Sequence, residues 1–177
     1  VICTPNYLHL KHIKFGLKRG INVICEKPLV IKKSDLSILK KFEINFGGSV
    51  NSILQLRLHP SIIKLRNQIK SSTNKKLWNI KLTYITSRGK WYMKSWKGND
   101  KKSGGLVANI GVHFFDMLHF IFGSLIEVKL HYRDKKTTAG FLEYENATVS
   151  WFLSIDSKFL PKSSNNNDQS TYRSLNI

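Results

Sequence analysis

The sequence predicts an α/β fold: the C-terminal half of a doubly wound parallel sheet, followed by an α+β domain with an open, mostly antiparallel sheet. Three observations predict it. Over residues 1–57, short β-branched runs alternate with helical stretches of about a dozen residues, the rhythm of βαβ units. From residue 58 onward helices and strands come in blocks, and the strands alternate polar and apolar residues, as half-buried antiparallel strands do. The composition is that of a globular protein, with 41% hydrophobic and 23% charged residues in 177. That length holds one domain and part of a second, so we place the two at residues 1–57 and 58–177.

Each element has a local reason. Val1-Ile2-Cys3 reads as the end of a buried strand, and Thr4-Pro5-Asn6 as a turn. Tyr7 to Lys18 carries Leu8, Ile13, Phe15 and Leu17 on an imperfect helical face, closed by Arg19-Gly20. Ile21 to Cys25 is a second strand, ending in Glu26-Lys27-Pro28. Ser34 is a plausible N-cap for a helix through Leu36, Leu39, Phe42 and Phe46, stopped by Gly47-Gly48. Val50 to Leu56 is a third strand. The loops after these strands, Thr4-Pro5-Asn6, Glu26-Lys27-Pro28 and Arg57-Leu58-His59, belong at the carboxyl ends of a parallel sheet, where such folds bind ligands. Pro60 opens a helix to Lys70, and Ser71-Ser72-Thr73-Asn74 is a loop. Leu77 to Ser87 is a strand, 88–103 a long polar and aromatic loop, and Leu106 to Phe122 a buried helix ending at Gly123. Ile126 to Tyr132, Thr137 to Tyr144 and Ala147 to Ile155 are strands. Lys162 to Ser170 is a flexible loop, and Thr171 to Ile177 alternates like a strand.

The chain begins at Val1 inside an apolar run and stops in that last alternating stretch without a turn, so it reads as an internal piece of a longer protein. Two cysteines, Cys3 and Cys25, exclude a disulfide-stapled secreted scaffold and make a reducing cytoplasm the default compartment. No uninterrupted apolar run approaches the roughly 18 residues of a membrane span. Lys plus Arg outnumber Asp plus Glu by 29 to 11, a net charge of +18. Trp91-Tyr92-Met93-Lys94-Ser95-Trp96-Lys97 interleaves aromatic and basic residues as single-strand nucleic-acid binders do. The lysines are nevertheless spread along the whole chain, with no recognisable nucleic-acid-binding motif, and a nucleic-acid module is a remote alternative.

Two segments can carry chemistry. Lys27, after a buried strand, projects from the carboxyl end of the sheet, although a Glu-Lys-Pro tripeptide alone reads as a solvated turn. In Gly104-Gly105-Leu106-Val107-Ala108-Asn109-Ile110-Gly111-Val112-His113-Phe114-Phe115-Asp116, a helix from residue 106 would put Asn109, His113 and Asp116 at i, i+4 and i+7 on one face. Buried polar groups need partners, so three in register beside a glycine pair point to a site. His113 and Asp116 lack further ligands for zinc, and no metal is expected.

In this order, Thr4-Pro5-Asn6 with His9, Glu26-Lys27-Pro28, and Gly104-Gly105 leading to Gly111-Val112-His113-Phe114-Phe115-Asp116 resemble the Gfo/Idh/MocA oxidoreductase family over essentially the whole chain. Leu56-Arg57-Leu58-His59-Pro60, Gly89-Lys90-Trp91-Tyr92, Ser95-Trp96-Lys97-Gly98, Lys102-Ser103-Gly104-Gly105, Trp151-Phe152-Leu153-Ser154-Ile155-Asp156 and Thr171-Tyr172-Arg173-Ser174 resemble one subgroup, the UDP-N-acetyl-2-amino-2-deoxyglucuronate dehydrogenases of bacterial surface polysaccharide synthesis. The resemblance implies a Rossmann domain that binds NAD and a second domain that lines the substrate site and mediates oligomerisation, as dimer or tetramer. It implies oxidation of the C3 hydroxyl of a UDP-N-acetylglucosaminuronic acid by hydride transfer to nicotinamide, within lipopolysaccharide and O-antigen biosynthesis, with 2-oxoglutarate as a possible acceptor that regenerates NAD. The alternative is another sugar or polyol dehydrogenase of the same family. NADP stays open as cofactor, because the glycine-rich loop and the acidic residue that choose between the two are not in this sequence.

By the same resemblance Lys27, His113 and Asn109 are the catalytic residues, and either Lys27 or His113 can take the proton: imidazole titrates near neutrality, and an amine beside a cationic nicotinamide has a lowered pKa. Asn109 stands where the wider family often has Asp, which argues against a Lys–Asp–His relay and for the UDP-sugar subgroup. Thr4, Pro5, Asn6, His9, Glu26, Lys27, Pro28 and Gln55 are expected at the cofactor. Arg57, His59, Arg88, Trp91, Tyr92, Ser95, Trp96, Lys97, Ser103, Asn109 and Arg173 are expected at the substrate, with arginines on its anionic groups and aromatic rings on uracil or sugar.

Overall fold

The computed structural model describes residues 1–72, 77–161 and 170–177. In chain order the elements are α1 (His9–Leu17), β1 (Val23–Cys25), α2 (Lys33–Phe46), β2 (Val50–Ser52), α3 (Pro60–Ser71), β3 (Trp78–Thr86), α4 (Lys90–Lys94), α5 (Asp100–Ser103), α6 (Val112–Phe122), β4 (Leu125–Arg133), β5 (Thr137–Tyr144), β6 (Ala147–Ser154) and β7 (Thr171–Asn176). The chain divides into two compact units: Val1–Leu54 with Tyr92–Val112, and Gln55–Trp91 with His113–Ile177.

In the first unit β1 and β2 pair in parallel, Val23 opposite Val50 and Cys25 opposite Ser52. The expected strand at Val1-Ile2-Cys3 reduces to one parallel bridge, Ile2 to Cys25, and Val1 is exposed. Ile13 and Leu17 of α1, Val23 and Cys25 of β1 and Leu39 of α2 form the core, with Leu10, Phe42 and Val50 against it. That is the α/β layering the alternation predicted. Ser34 is not the cap of α2: it lies inside the helix, whose N-cap is Lys32 with no side-chain bond. Gly47 ends that helix as expected, at φ 74° with its N–H donating to the Glu43 carbonyl. Beyond Ser52 the third strand gives way to a 3₁₀ turn, Gln55–Leu58.

The stretch 88–103 is not an open loop. It holds α4, a 3₁₀ turn at Trp96–Gly98, and α5. Ser95 Oγ accepts from the Lys97 N–H, and Asn99 Oδ1 accepts from the N–H groups of Lys101 and Lys102, so each short turn is capped by the polar residue before it. The helix expected from Leu106 is likewise divided: Val107–Gly111 is a π turn, and α6 follows.

In the second unit five strands form one sheet in the order β4-β5-β6-β3-β7. Most pairings are antiparallel, but β3 and β6 run parallel, Ile80 opposite Val149 and Leu82 opposite Trp151. β5 alternates as its sequence predicts, burying Leu142 and Tyr144. The apolar stripe of α6, Phe114, Met117, Leu118, Ile121 and Phe122, is buried. Its ends are tied to the sheet by Tyr144 Oη donating to the Phe115 carbonyl and Asn146 Nδ2 donating to the Phe122 carbonyl. Phe114 meets Tyr84, and Phe115 meets Trp151 edge-on. The stretch Asp100–Phe122 is long and apolar enough to cross a membrane by length and composition, though polar residues interrupt it; half of its most apolar part is buried within the protein. The expected loop at 162–170 lies outside the described residues except at Ser170, as does that at 71–74 beyond Ser72.

Candidate active site

Two loops at the carboxyl ends of parallel segments make the first unit's polar centre, and a buried imidazole joins them. His9, at the start of α1, is 0% exposed. Its Nδ1 lies 2.8 Å from the Pro28 carbonyl oxygen and its Nε2 2.8 Å from the Thr4 carbonyl oxygen. His9 therefore braces the Thr4-Pro5-Asn6 and Glu26-Lys27-Pro28 loops from beneath. The Lys27–Pro28 peptide bond is cis, and Thr4 Oγ1 lies 3.2 Å from His12 Nδ1.

Lys27 reaches from its loop to the π turn, where its Nζ donates to the Asn109 main-chain carbonyl at 2.5 Å. Burial pulls the Lys27 ammonium below the usual lysine value, Glu26 opposes that shift, and Lys97 adds to it. The Asn109 amide is held at both ends. Its Nδ2 donates to Tyr92 Oη at 3.1 Å, and its Oδ1 accepts from Asn6 Nδ2 at 3.3 Å. Asn6, itself buried, also donates to the Ser103 carbonyl at 2.8 Å.

The glycine pair explains how Ser103 and Asn109 come to share these partners. Gly104 and Gly105 have φ of 82° and 72°, which side chains rarely adopt. A Cβ at Gly104 would also stand 2.6 Å from that of Ala108. Thus Lys27, Asn109, Asn6, Tyr92 and Ser103 form one connected cluster, with Glu26 half-buried nearby in sequence. Ser95 spends its hydroxyl on the Tyr92 carbonyl and the Lys97 N–H, and Lys97 lies 5.8 Å over the Trp96 ring.

The remaining candidates belong to the second unit. His113 is half-buried in the first turn of α6. Arg57 is committed to Asp116: its Nε donates to Oδ2 at 2.8 Å, and Nη2 donates to Oδ1. The hydrogen bonds to this carboxylate raise the guanidinium above its ordinary value. His59 Nδ1 accepts from the Ser61 N–H and caps α3. Arg173 lies 5.2 Å over Tyr84 and 5.8 Å over Phe114. Gln55, Arg88 and Trp91 are exposed.

A cleft of about 580 Å³ in this unit is lined by Arg57, Arg66, Lys70, Trp78, His119 and Phe120, among others. Lys70 and His119 stand in the last turns of α3 and α6, where cations complement the carbonyl end of a helix, and Arg66 stacks on Phe120 at 4.1 Å. Among the described residues no three His, Cys, Asp or Glu gather as a metal site.

Sequence reasoning missed the bracing role of His9, the use of Tyr92 inside the fold, and the Arg57–Asp116 pair. The first had a signal, since a buried imidazole must find partners and loop carbonyls lie close to a helix start in a βαβ unit; Tyr92 meets Asn109 only through the fold. The pair joins residues far apart in sequence and left none.

The loops at the ends of parallel strands, with a desolvated amine and polar side chains around it, lie where such sheets bind dinucleotides. The comparisons with known proteins agree. Residues 1–47 match the family described as "Oxidoreductase family, NAD-binding Rossmann fold", and residues 68–171 match "Oxidoreductase family, C-terminal alpha/beta domain". The WlbA (WbpB) dehydrogenase of Thermus thermophilus, solved in complex with NAD and UDP-GlcNAcA, is 44% identical, with a TM-score of 0.92 over 99% of this chain and 56% of that one. The same enzyme, solved with NAD and alpha-ketoglutarate, gives 44% and 0.91 over 98% and 56%. Among curated relatives, glucose-6-phosphate 3-dehydrogenase of Bacillus subtilis is 24% identical over 70% of this chain and 36% of its own length. D-glucoside 3-dehydrogenase of Escherichia coli is 25% identical over 84% and 44%. The chain thus spans about half the length of these solved relatives and less of the curated ones. With both of its halves matched and its loops built as that fold requires, the chain belongs to the Gfo/Idh/MocA oxidoreductase family.

Proposed function

We propose that the protein made from the complete reading frame is an NAD-dependent dehydrogenase that oxidises the C3 hydroxyl of UDP-N-acetylglucosaminuronic acid to a ketone, in the synthesis of lipopolysaccharide or O-antigen sugars. The observation that carries this reading is the Lys27 amine: desolvated, placed after a parallel strand, and fixed on the Asn109 carbonyl. The likeness to the WlbA dehydrogenase solved with NAD and UDP-GlcNAcA supports the choice of sugar. The likeness to the complex with alpha-ketoglutarate supports 2-oxoglutarate as the acceptor that regenerates NAD.

In this reading Thr4, Pro5, Asn6, Glu26, Pro28 and Gln55 hold the cofactor, and His9 braces their loops. Bound NAD supplies the hydride acceptor. Lys27 donates a hydrogen bond to the sugar hydroxyl and fixes its orientation. His113 takes the hydroxyl proton, and Lys27, with its lowered pKa, is the alternative base. Trp91 and Trp96 stack on uracil or sugar, while Arg88, Lys97 and Arg173 meet the diphosphate and carboxylate. Arg57 acts through Asp116 as support for α6. The complete enzyme is a homo-oligomer.

The test is NAD reduction by the complete protein with UDP-GlcNAcA. Lys27→Met and His113→Asn each lower kcat by about 10²–10⁴-fold, the usual worth of acid–base help; unchanged turnover in both variants overturns the assignment. A second reading, a glucose-type 3-dehydrogenase, is favoured by the two curated relatives that act at C3. It gains if glucose 6-phosphate is oxidised and the UDP-sugar is not.

A further inference from the structure

Asn109 sits at the centre of the π turn Val107–Gly111. A π turn departs from the i→i+4 hydrogen-bond ladder, and such turns are frequent at functional sites. Here the Asn109 carbonyl accepts from Lys27 Nζ. The carbonyl can hold the amine in one place only if the peptide that carries it is held too. The Asn109 side chain does this through a matched pair: its amide nitrogen donates to Tyr92 Oη, and its amide oxygen accepts from Asn6 Nδ2. Tyr92 is 4% exposed and Asn6 is 5% exposed, so both anchors are fixed by burial. The side chain orders the turn, and the turn's backbone orders the lysine.

We propose that Tyr92 is a positioning residue for Lys27: its buried phenol oxygen orients the Asn109 amide, and through the π turn keeps the Asn109 carbonyl on the lysine amine. The inference rests on reading Lys27 as the active amine, but it goes beyond that reading in naming what holds it. It also gives Tyr92 a place inside the first unit in place of a stacking surface for the substrate. Asn6 serves the same end from the other side.

The test reads the amine directly. Reductive methylation of the native chain, followed by peptide mass spectrometry, gives the labelling rate at Lys27. Tyr92→Phe keeps the buried ring and removes only the oxygen; Asn109→Ala removes the amide and keeps the carbonyl. Each raises the Lys27 labelling rate about tenfold, the factor by which losing one hydrogen bond of the network favours the released amine. The double variant labels no faster than either single one, because the two act in series. Tyr132→Phe, on exposed β4, leaves the rate unchanged. In the complete protein Tyr92→Phe lowers kcat while the KM for NAD stays as it was. If Tyr92→Phe labels at the wild-type rate, or if the two substitutions multiply, the proposal is overturned. Should Tyr92→Phe lose its fold, Asn109→Ala and Asn6→Ala decide in the same way, faster labelling supporting the proposal and wild-type labelling overturning it. Labelling needs no turnover, so failure of the sugar assignment and failure of this proposal are read separately.

Discussion

Lys27 stands between two opposed forces. Burial disfavours its charge, while a carbonyl at hydrogen-bond distance and Glu26 nearby favour it. Burial wins, and the pKa falls below 10.5. A lysine with a lowered folded-state pKa binds fewer protons in the native than in the unfolded chain between the lowered value and the ordinary one. In that window unfolding takes up a proton, so native stability rises with pH. The Tm of Lys27→Met minus that of the wild type therefore declines as pH rises toward 10.5, followed by thermal unfolding at a series of pH values. A difference independent of pH would mean that the amine is not desolvated. The same shift enlarges the neutral-amine fraction at any pH below the ordinary lysine value.

At the scale of elements, α6 shows how much was legible and why. Its apolar run predicted a buried helix, and Phe114, Met117, Leu118, Ile121 and Phe122 are indeed buried. Leu118 is 0% exposed, so Leu118→Ala costs about 2–5 kcal/mol, measured by denaturant unfolding; a loss under about 1 kcal/mol would contradict this packing. The π turn before α6 was not legible, since the spacing of Asn109, His113 and Asp116 fits an unbroken α-helix equally well on paper. The short helices within 88–103 were hidden for another reason. They depend on local caps at Ser95 and Asn99 and on the close approach of Gly98 to the Met93 backbone, 2.6 Å for an added Cβ, rather than on any apolar period. β5, by contrast, was read at both ends, because period-2 alternation between turn residues admits little else.

At the scale of the whole molecule, the alternation of strands and helices before residue 57 and the strand blocks after it were enough for the α/β class, and the motifs around Lys27 and His113 carried the family resemblance. Pairing was not: β3 lies parallel to β6 and antiparallel to β7, partners set by burial of faces across long stretches of chain and not by neighbouring residues. The candidate site offered motifs in the sequence but none of its contacts. Glu26-Lys27-Pro28 and His113 stood out, whereas the bonds that hold Lys27 join turns that only the fold brings together. The net charge of +18 suits anionic substrates and counter-ions alike, and does not by itself choose a ligand. What chooses is the chemistry at one carbon atom. With UDP-GlcNAcA carrying deuterium at C3, incubated with NAD and the complete protein, the deuterium appears on the reduced nicotinamide while the sugar becomes a 3-ketone. Retention of the label on the sugar, or its transfer only from another ring position, would contradict oxidation at C3.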